Sequence, residues 1–206
     1  VLDDQLSEAK AESSKGLEPL VLFSSTVAAP WKLKIGADGE QQSVISSFQQ
    51  NQSVSIKNID KVVQEDARKV SFSGASLGSF GLSSDFPSDL HAYFESDSAL
   101  ALTIKLDSRS SDPVFVHMNC GAGCTARVEL SETLAVLPVK QWRDISIDLA
   151  CFNIVGADRG QIFSPITWSS KGSSVVNFST ISIVFAWHLI RLSTFTGAIK
   201  RTLSKP

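Results

Sequence analysis

The chain has 206 residues, of which 43% are hydrophobic and 19% are charged, and its formal net charge at pH 7 is −2. This composition is typical of one globular domain, with or without appended segments, that is long enough to bury a core. The near-neutral charge gives no electrostatic case for nucleic acid or an anionic membrane, because both require a basic face. In addition, no apolar run reaches the roughly 20 residues needed to span a bilayer. We therefore expect neither nucleic acid nor a membrane as a partner.

The start of the chain differs from the rest in composition. Residues 1–19 are polar and rich in small side chains, which predicts a linker or a frayed segment before the first strand. The sequence begins at Val1 and shows no signal peptide there. We therefore expect it to be an excised piece of a longer protein.

Short runs in which apolar and polar residues alternate follow along the chain. Successive side chains of a strand point to opposite faces, so these runs predict half-buried strands. Clusters of Gly, Ser, Asp, Asn and Pro separate them, as expected between antiparallel strands. Many short strands at this spacing predict an all-β fold, a jelly-roll β-sandwich, over residues 20–187. The predicted strands are WKLKI at 31–35, RKVSFSG at 68–74, SALALTIKLD at 98–107, DISIDL at 144–149 and ISIVF at 181–185.

Two segments of this region do not alternate. The stretch FSGASLGSFG at 72–81 combines glycines and serines outside any strand-to-helix context, so we predict a mobile loop there. The stretch ELSE at 129–132 is predicted to form a turn.

The end of the chain, residues 188–206, is basic and contains no acidic residue. Two interpretations stay open: a basic amphipathic segment, and a segment that is not native to the protein. The prediction of the fold therefore leaves this tail out.

The three cysteines are weighed as metal ligands, a redox couple or a disulfide. A structural zinc site commonly takes four Cys or His ligands, and the parity of His117 and Cys120 puts their side chains on opposite faces of one strand. A thioredoxin-like couple needs Cys-x-x-Cys at a helix N-terminus. The glycines between Cys120 and Cys124 permit a tight reversal, which favours a local disulfide. Cys151 is predicted to be a buried thiol outside any disulfide.

Several segments together resemble the galactose-binding-domain-like C-terminal accessory domain of bacterial exo-1,3/1,4-β-glucanases of glycoside hydrolase family 3. The resemblance runs from about residue 20 to about residue 186, and its most specific part is the series from the tryptophan to the final Gly-Ala-Asp. It is carried by WKLKIGADG at 31–39, VSFSG at 70–74, DLHAYF at 89–94, VELSETL at 128–134, and WRDISIDLACFNIVGAD at 142–158 with SPI at 164–166.

The resemblance implies a non-catalytic accessory domain of an exported β-glucan exohydrolase, in the periplasm or outside the cell. Such a domain would dock on the catalytic domains of the parent glycosidase and assist in capturing β-glucan. A disulfide agrees with a place outside the reducing cytoplasm. The alternatives are a self-sufficient carbohydrate-binding module and a small independent enzyme.

The carboxylates offer no catalytic pair that would favour an enzyme. A retaining glycosidase needs two carboxyl groups about 5 Å apart across the sugar cleft. Asp144 and Asp148 share one strand face, and Glu129 and Glu132 flank the predicted turn. We therefore expect no catalytic residue in this chain.

Exposed aromatic residues would stack on sugar rings in a glucan-binding jelly roll. Parity places Trp31 and Trp168 in the core, whereas it turns Trp142 outward on a regular strand. Tyr93 is the better surface candidate of the Tyr93-Phe94 pair, because its hydroxyl tolerates water. We therefore predict Tyr93 and Trp142 as carbohydrate-binding residues.

We expect the chain to have no cofactor. A structural calcium ion is the one alternative that the sequence suggests. Asp38 and Asp158 each lie in a Gly-Ala-Asp loop and offer carboxylate oxygens, the ligand type that Ca²⁺ prefers. Two distant aspartates do not form a cage of six ligands. Loop chemistry explains both residues equally well, because Asp favours turns without any metal.

Overall fold

The structure is a computed structural model that describes residues 17–185 and 198–199. The predictions for residues 1–16 and for most of the tail lie outside these residues. Pro19 directly precedes the first strand. In the described part of the chain no helix is both long enough and apolar enough to cross a membrane.

Two sheets make up the molecule, and this confirms the predicted β-sandwich. Sheet 1 has nine strands and sheet 2 has six. All neighbours pair antiparallel except β12 and β15. Sheet 1 consists of β1 (Leu20–Ser24), β2 (Thr26–Val27), β5 (Phe48–Gln50), β6 (Val54–Ile59), β7 (Ala67–Phe72), β9 (Ser98–Ser108), β12 (Trp142–Asp148), β14 (Ser174–Phe185) and β15 (Ala198–Ile199). Sheet 2 consists of β3 (Lys32–Ala37), β4 (Glu40–Ser43), β8 (Gly78–Ser83), β10 (Val114–Asn119), β11 (Thr125–Glu129) and β13 (Ser164–Ser170).

The order of strands in sheet 1 is β15-β12-β9-β14-β7-β6-β5, and β1 lies beside β14 and carries β2 at its other edge. The order in sheet 2 is β11-β10-β13-β8-β3-β4. Four short helices lie in the connections between the strands of residues 17–185. They are α1 (His91–Glu95), α2 (Ser131–Val136) and two 3₁₀-helices, Leu149–Phe152 and Gly156–Gly160.

The core lies between the facing sides of the two sheets. Trp168 of β13 meets Phe178 of β14 edge to face, with the ring centroids 5.3 Å apart, and Phe80 of β8 stacks on Phe178 at 4.7 Å. Full burial of an aromatic or aliphatic side chain contributes about 1.5–3 kcal/mol. Trp31 and Trp168 are buried, 5% and 1% exposed, as their parity predicted.

The loop predicted over 72–81 is wrong in its second half, which forms β8. Glycine and serine in sequence favour a loop there, but Gly81 lies inside the strand opposite Thr167. A Cβ atom on Gly81 would collide with the carbonyl oxygen of Ile166 and with Cα of Thr167. The glycine therefore marks the close approach of β8 and β13, which is its other common use in strands.

The two helices α1 and α2 were not predicted. The segment predicted as a turn, 129–132, ends β11 and begins α2. Tyr93 and Phe94 lie on α1, where the alternation of a strand does not apply. Both side chains are half-buried.

Candidate functional site

Trp142 opens β12 and faces outward from sheet 1, as its parity predicted. It pairs with Lys105 of β9, and its ring is half-buried. Nζ of Lys61 lies 5.1 Å from the ring centroid and Nζ of Lys105 lies 5.4 Å from it. Such cation–π contacts stabilise the ammonium groups over the ring, so a sugar that stacked on Trp142 would have to displace at least one lysine.

Tyr93 lies elsewhere in the fold. Its hydroxyl donates a hydrogen bond to the carbonyl oxygen of Glu18 at 2.8 Å, and its ring stacks on Phe185 at 5.9 Å. Burial, with a smaller contribution from the charge of Glu18, raises the pKa of Tyr93. Phe185 pairs with Ser98 at the far end of β9 from Lys105, about 23 Å away at roughly 3.3 Å per residue. The structure therefore does not bring Tyr93 and Trp142 together.

Cys120 and Cys124 are joined in a disulfide whose Cα atoms lie 5.1 Å apart. Gly121 and Gly123 have φ angles of +102° and +76°, a backbone conformation that glycine adopts at little cost. The amide of Cys120 also donates to the carbonyl oxygen of Cys124 at 3.0 Å. The bridge closes the β10–β11 turn. Cys151 is outside this disulfide and half-buried, not fully buried as predicted.

The two aspartates suggested for calcium lie at opposite ends of sheet 2. Asp38 is in the β3–β4 turn, where its carboxylate accepts from the backbone amide of Leu77 at 3.3 Å and from the Gln52 side chain at 3.4 Å. Asp158 is exposed in a 3₁₀-helix beside Leu90, past the other end of β8. No group of three His, Cys, Asp or Glu side chains in the described residues is arranged to hold a metal ion. Calcium binding stays a prediction.

The carboxylates of β12 have structural partners. Thr103 donates to Asp144 at 2.6 Å, and Asp148 accepts from the amide of Ala150 at the start of a 3₁₀-helix. Both aspartates are exposed. They are four positions apart on one strand face, or about 13 Å.

The outer face of sheet 2 is a second candidate site, which the sequence did not reveal. Its middle strands present only small residues between larger side chains on either side, and this band of the sheet is here named the trough. On one side stand Phe115, His117 and Arg127 of β10 and β11, and on the other Lys34 and Gln41 of β3 and β4. Its floor is formed by Gly36, Ser79, Gly81, Thr167 and Ser169, which the registers place side by side.

Polar and aromatic groups on the β10 side of the trough contact one another. Nε2 of His117 lies 2.7 Å from Oγ of Ser169. The guanidinium of Arg127 lies 4.9 Å from the ring centroid of Phe115, and the rings of Phe115 and His117 are 6.2 Å apart. Burial, and then the positive charge of Arg127, lowers the pKa of His117. The trough therefore offers a half-buried aromatic ring beside a neutral imidazole.

A family described as galactose-binding domain-like, Exop_C, matches residues 29–183. This match confirms the resemblance found in the sequence, and it is to a non-catalytic accessory domain. No curated protein matches the chain.

Solved structures share the fold. The exo-1,3/1,4-β-glucanase (ExoP) from a Pseudoalteromonas species matches at 16% identity with a TM-score of 0.69, over 82% of this chain and 21% of that enzyme. The extra C-terminal domain of the same enzyme matches at 16% identity with a TM-score of 0.67, over 81% of this chain and 92% of that domain. The family 30 carbohydrate-binding module of the cellulase Cel9D-Cel44B of Clostridium thermocellum matches at 15% identity with a TM-score of 0.60, over 82% of this chain and 99% of that module.

Proposed function

The chain belongs to the galactose-binding domain-like family that matches residues 29–183, and we propose that it is a non-catalytic accessory domain that holds β-glucan for the catalytic domains of an exo-β-glucanase. The related solved structures are the extra domain of an exo-1,3/1,4-β-glucanase and a carbohydrate-binding module. A disulfide is typical of proteins outside the reducing cytoplasm, and it supports a periplasmic or extracellular place.

The observation that carries sugar binding is the trough on sheet 2. A pyranose ring has an apolar C–H face and a polar rim, so its binding site needs a flat apolar group beside hydrogen-bonding groups. Phe115 supplies the ring. The guanidinium of Arg127 lies 4.9 Å from its centroid, so a stacked sugar would have to displace Arg127 or use the other face of the ring. Neutral His117 is 2.7 Å from Ser169 through Nε2, and Arg127 and Gln41 are exposed at the sides. The small floor residues leave room for a glucan segment to lie across the strands.

Docking on the catalytic domains is a second function, and exposed apolar groups at one end of the sandwich favour it. Phe86 is 75% exposed and Val155 is 65% exposed. Their loops lie at the same end, because Ser88 bridges to Ile162 and the amide of Leu90 donates to the carbonyl oxygen of Arg159. Burying such side chains against another domain would remove apolar surface from water.

Calorimetric titration of the chain with laminarin, barley β-glucan and cello-oligosaccharides tests sugar binding. We expect saturable heat, and we expect Phe115→Ala to weaken binding about tenfold or more, since it removes the apolar platform. Trp142→Ala on sheet 1 is the matched control and should bind as the unaltered chain does. Loss of binding in Trp142→Ala alone would move the site to sheet 1. No saturable heat with any glucan would contradict sugar binding and leave docking.

A further inference from the structure

One side of the sandwich is open between the two sheets. β4 is the last strand of sheet 2 and β5 is the last strand of sheet 1, and residues 44–47 connect them. A cavity of about 460 Å³ lies beside this connection, within the range of about 300–1,000 Å³ that is typical of ligand sites. We name it the edge groove. It is lined by Lys32 and Leu33 of β3, Asn58 of β6, Arg68 of β7, Val27, and residues 43–47.

The lining of the edge groove combines aliphatic and polar side chains. Leu33, Val44 and Ile45 supply aliphatic surface, and Ile45 is 90% exposed. The Asn58 side chain and serine hydroxyls at 43, 46 and 47 supply uncharged polar groups. The Asn58 amide already donates to the Glu65 carboxylate at 3.0 Å, and the Ser46 hydroxyl donates to the carbonyl oxygen of Phe48. A sugar ring, with its apolar face and hydroxyl rim, needs both aliphatic and polar groups of this kind.

The two cations of the edge groove already have partners. Lys32 is paired with Asp85. Arg68 donates from Nη1 to the carbonyl oxygen of Glu65 at 2.9 Å and from Nη2 to that of Ser25 at 3.0 Å. An anion would have to compete with these groups, whereas the uncharged groups favour a neutral ligand.

The connection that forms one wall is held in place before any ligand arrives. The Gln49 side chain accepts from the amide of Ile45 at 3.1 Å and donates to the carbonyl oxygen of Ser43 at 2.9 Å. The amide of Val44 donates to Leu33 of sheet 2, and the carbonyl oxygen of Ser47 accepts from Asn58 of sheet 1, both at 2.8 Å. A wall fixed in this way loses less conformational entropy on binding.

A second cavity, of about 270 Å³, lies farther along β4. Side-chain amides dominate its lining, together with Ala37 and Glu40. A side-chain amide has both a donor and an acceptor, which suits adjacent sugar hydroxyls. The Asn51 oxygen already accepts from the amides of Ser53 and Val54, and Gln52 donates to Asp38, so Gln41 and Gln42 are the amides that would bind the sugar. The amides belong to Gln41, Gln42, Asn51 and Gln52.

We propose that the edge groove is a second glycan-binding site, which takes a short segment of neutral β-linked oligosaccharide and passes it along the amides beside β4. The aliphatic side chain of Ile45 contacts the C–H face of a sugar residue, and the side-chain oxygen of Asn58 with the hydroxyls of Ser43 and Ser47 binds its rim. This inference rests on the proposed function, since both require a glycan ligand. The edge groove differs in place, because it lies beside residues 43–47, whereas the trough is on the outer face of sheet 2. Gln41 belongs both to the second cavity and to one side of the trough.

Amide NMR titration of the chain with cellotetraose and laminaritetraose tests the inference. We expect saturable shifts at residues 43–47 and at Asn58, in addition to shifts around Phe115. Ile45→Ser should weaken binding at the edge groove about fivefold, because it removes apolar contact. Val62→Ser is the matched control: Val62 is 81% exposed in the β6–β7 loop and does not line the groove, so its variant should bind normally.

The outcomes separate the two sites. Shifts confined to the trough would overturn the second site and leave the proposed function intact. Shifts confined to the edge groove would support the inference and move the glycan away from the trough. No saturable shift anywhere would contradict both. An equal loss in Ile45→Ser and Val62→Ser would also overturn the inference, because it would reflect a general effect on the surface.

Discussion

His117 shows how a single side chain is set by its place in the trough. Its pKa is lowered by burial and, to a smaller extent, by the charge of Arg127. We expect NMR titration of the imidazole to give a midpoint below the ordinary value of about 6.5. In Arg127→Gln the midpoint should rise only part of the way, since burial remains. A midpoint at or above 6.5 in the unaltered chain would contradict this account of the site.

The lowered pKa also fixes the sign of an effect on stability. The unfolded chain binds the proton of His117 more readily than the folded chain does. The contribution to the free energy of unfolding is therefore complete above about pH 6.5 and is lost as the pH falls through that value toward the folded pKa. Glucan binding at the trough should weaken as the pH falls through the folded pKa of His117, because the protonated imidazole can no longer accept a hydrogen bond.

At the scale of the element, the β10–β11 hairpin is held by its ladder as well as by the disulfide. Five residue pairs join the strands, from Phe115 with Glu129 to Asn119 with Thr125. The loop closed by the disulfide is short, so its removal should lower the free energy of unfolding by about 2 kcal/mol and leave the fold intact. Urea unfolding of the double variant Cys120→Ala/Cys124→Ala, followed by circular dichroism, measures this loss.

Cys151→Ala serves as the control for the hairpin, because it removes the thiol that lies outside the disulfide. It should change the free energy of unfolding by about 1 kcal/mol or less. A double variant of the hairpin that does not fold would show that the bridge, and not the ladder, determines the local structure. A double variant as stable as the unaltered chain would show that the bridge contributes nothing.

Elements with strict alternation could be predicted from the sequence, whereas those defined by contacts between strands could not. Ile145 and Ile147 alternate with polar residues, and the strand follows directly. In β8, the nearby backbone of β13 requires Gly81. Because β13 is far away in sequence, the residues around Gly81 predict a loop and not a strand. The same limit applies to the trough: the alternation around His117 predicts its strand, but the small residues opposite it depend on register.

The outward direction of Trp142 could be predicted for the same local reason. The two lysines that contact its ring could not be predicted from the sequence. Lys105 contacts the Trp142 ring from the neighbouring strand β9, and Lys61 contacts it from the β6–β7 loop. The sequence therefore identified an outward aromatic residue without showing that cations cover it.

At the scale of the whole molecule, the two sheets leave several distinct surfaces around one core. The trough lies on the outer face of sheet 2, Trp142 lies on the outer face of sheet 1, and Phe86 is at one end. A glucan can occupy one surface while a neighbouring domain covers another. Sugar capture and docking are therefore compatible in one accessory domain, and a glucan that reached two glycan sites would bind more tightly than a short oligosaccharide.

The same arrangement does not place the two aspartates of β12 as an acid pair for glycoside hydrolysis. The two carboxyl groups of a glycosidase lie about 5 Å apart in retaining enzymes and about 6.5–9.5 Å apart in inverting ones. Asp144 and Asp148 are exposed and about 13 Å apart along β12. Glu129 ends β11 and Glu132 lies in the first turn of α2, and both are exposed on the surface.

We therefore expect the chain to bind glucan without cleaving it. Incubation with an aryl β-glucoside should release no more phenol than buffer does, measured by absorbance, and laminarin should yield no new reducing ends. An active β-glucosidase under the same conditions controls for the assay. Steady release that scales with the concentration of the chain would contradict the assignment. If that release persisted in Asp144→Asn and Asp148→Asn, the active carboxylates would lie elsewhere, because a glycosidase loses its rate when either of its two acids is removed.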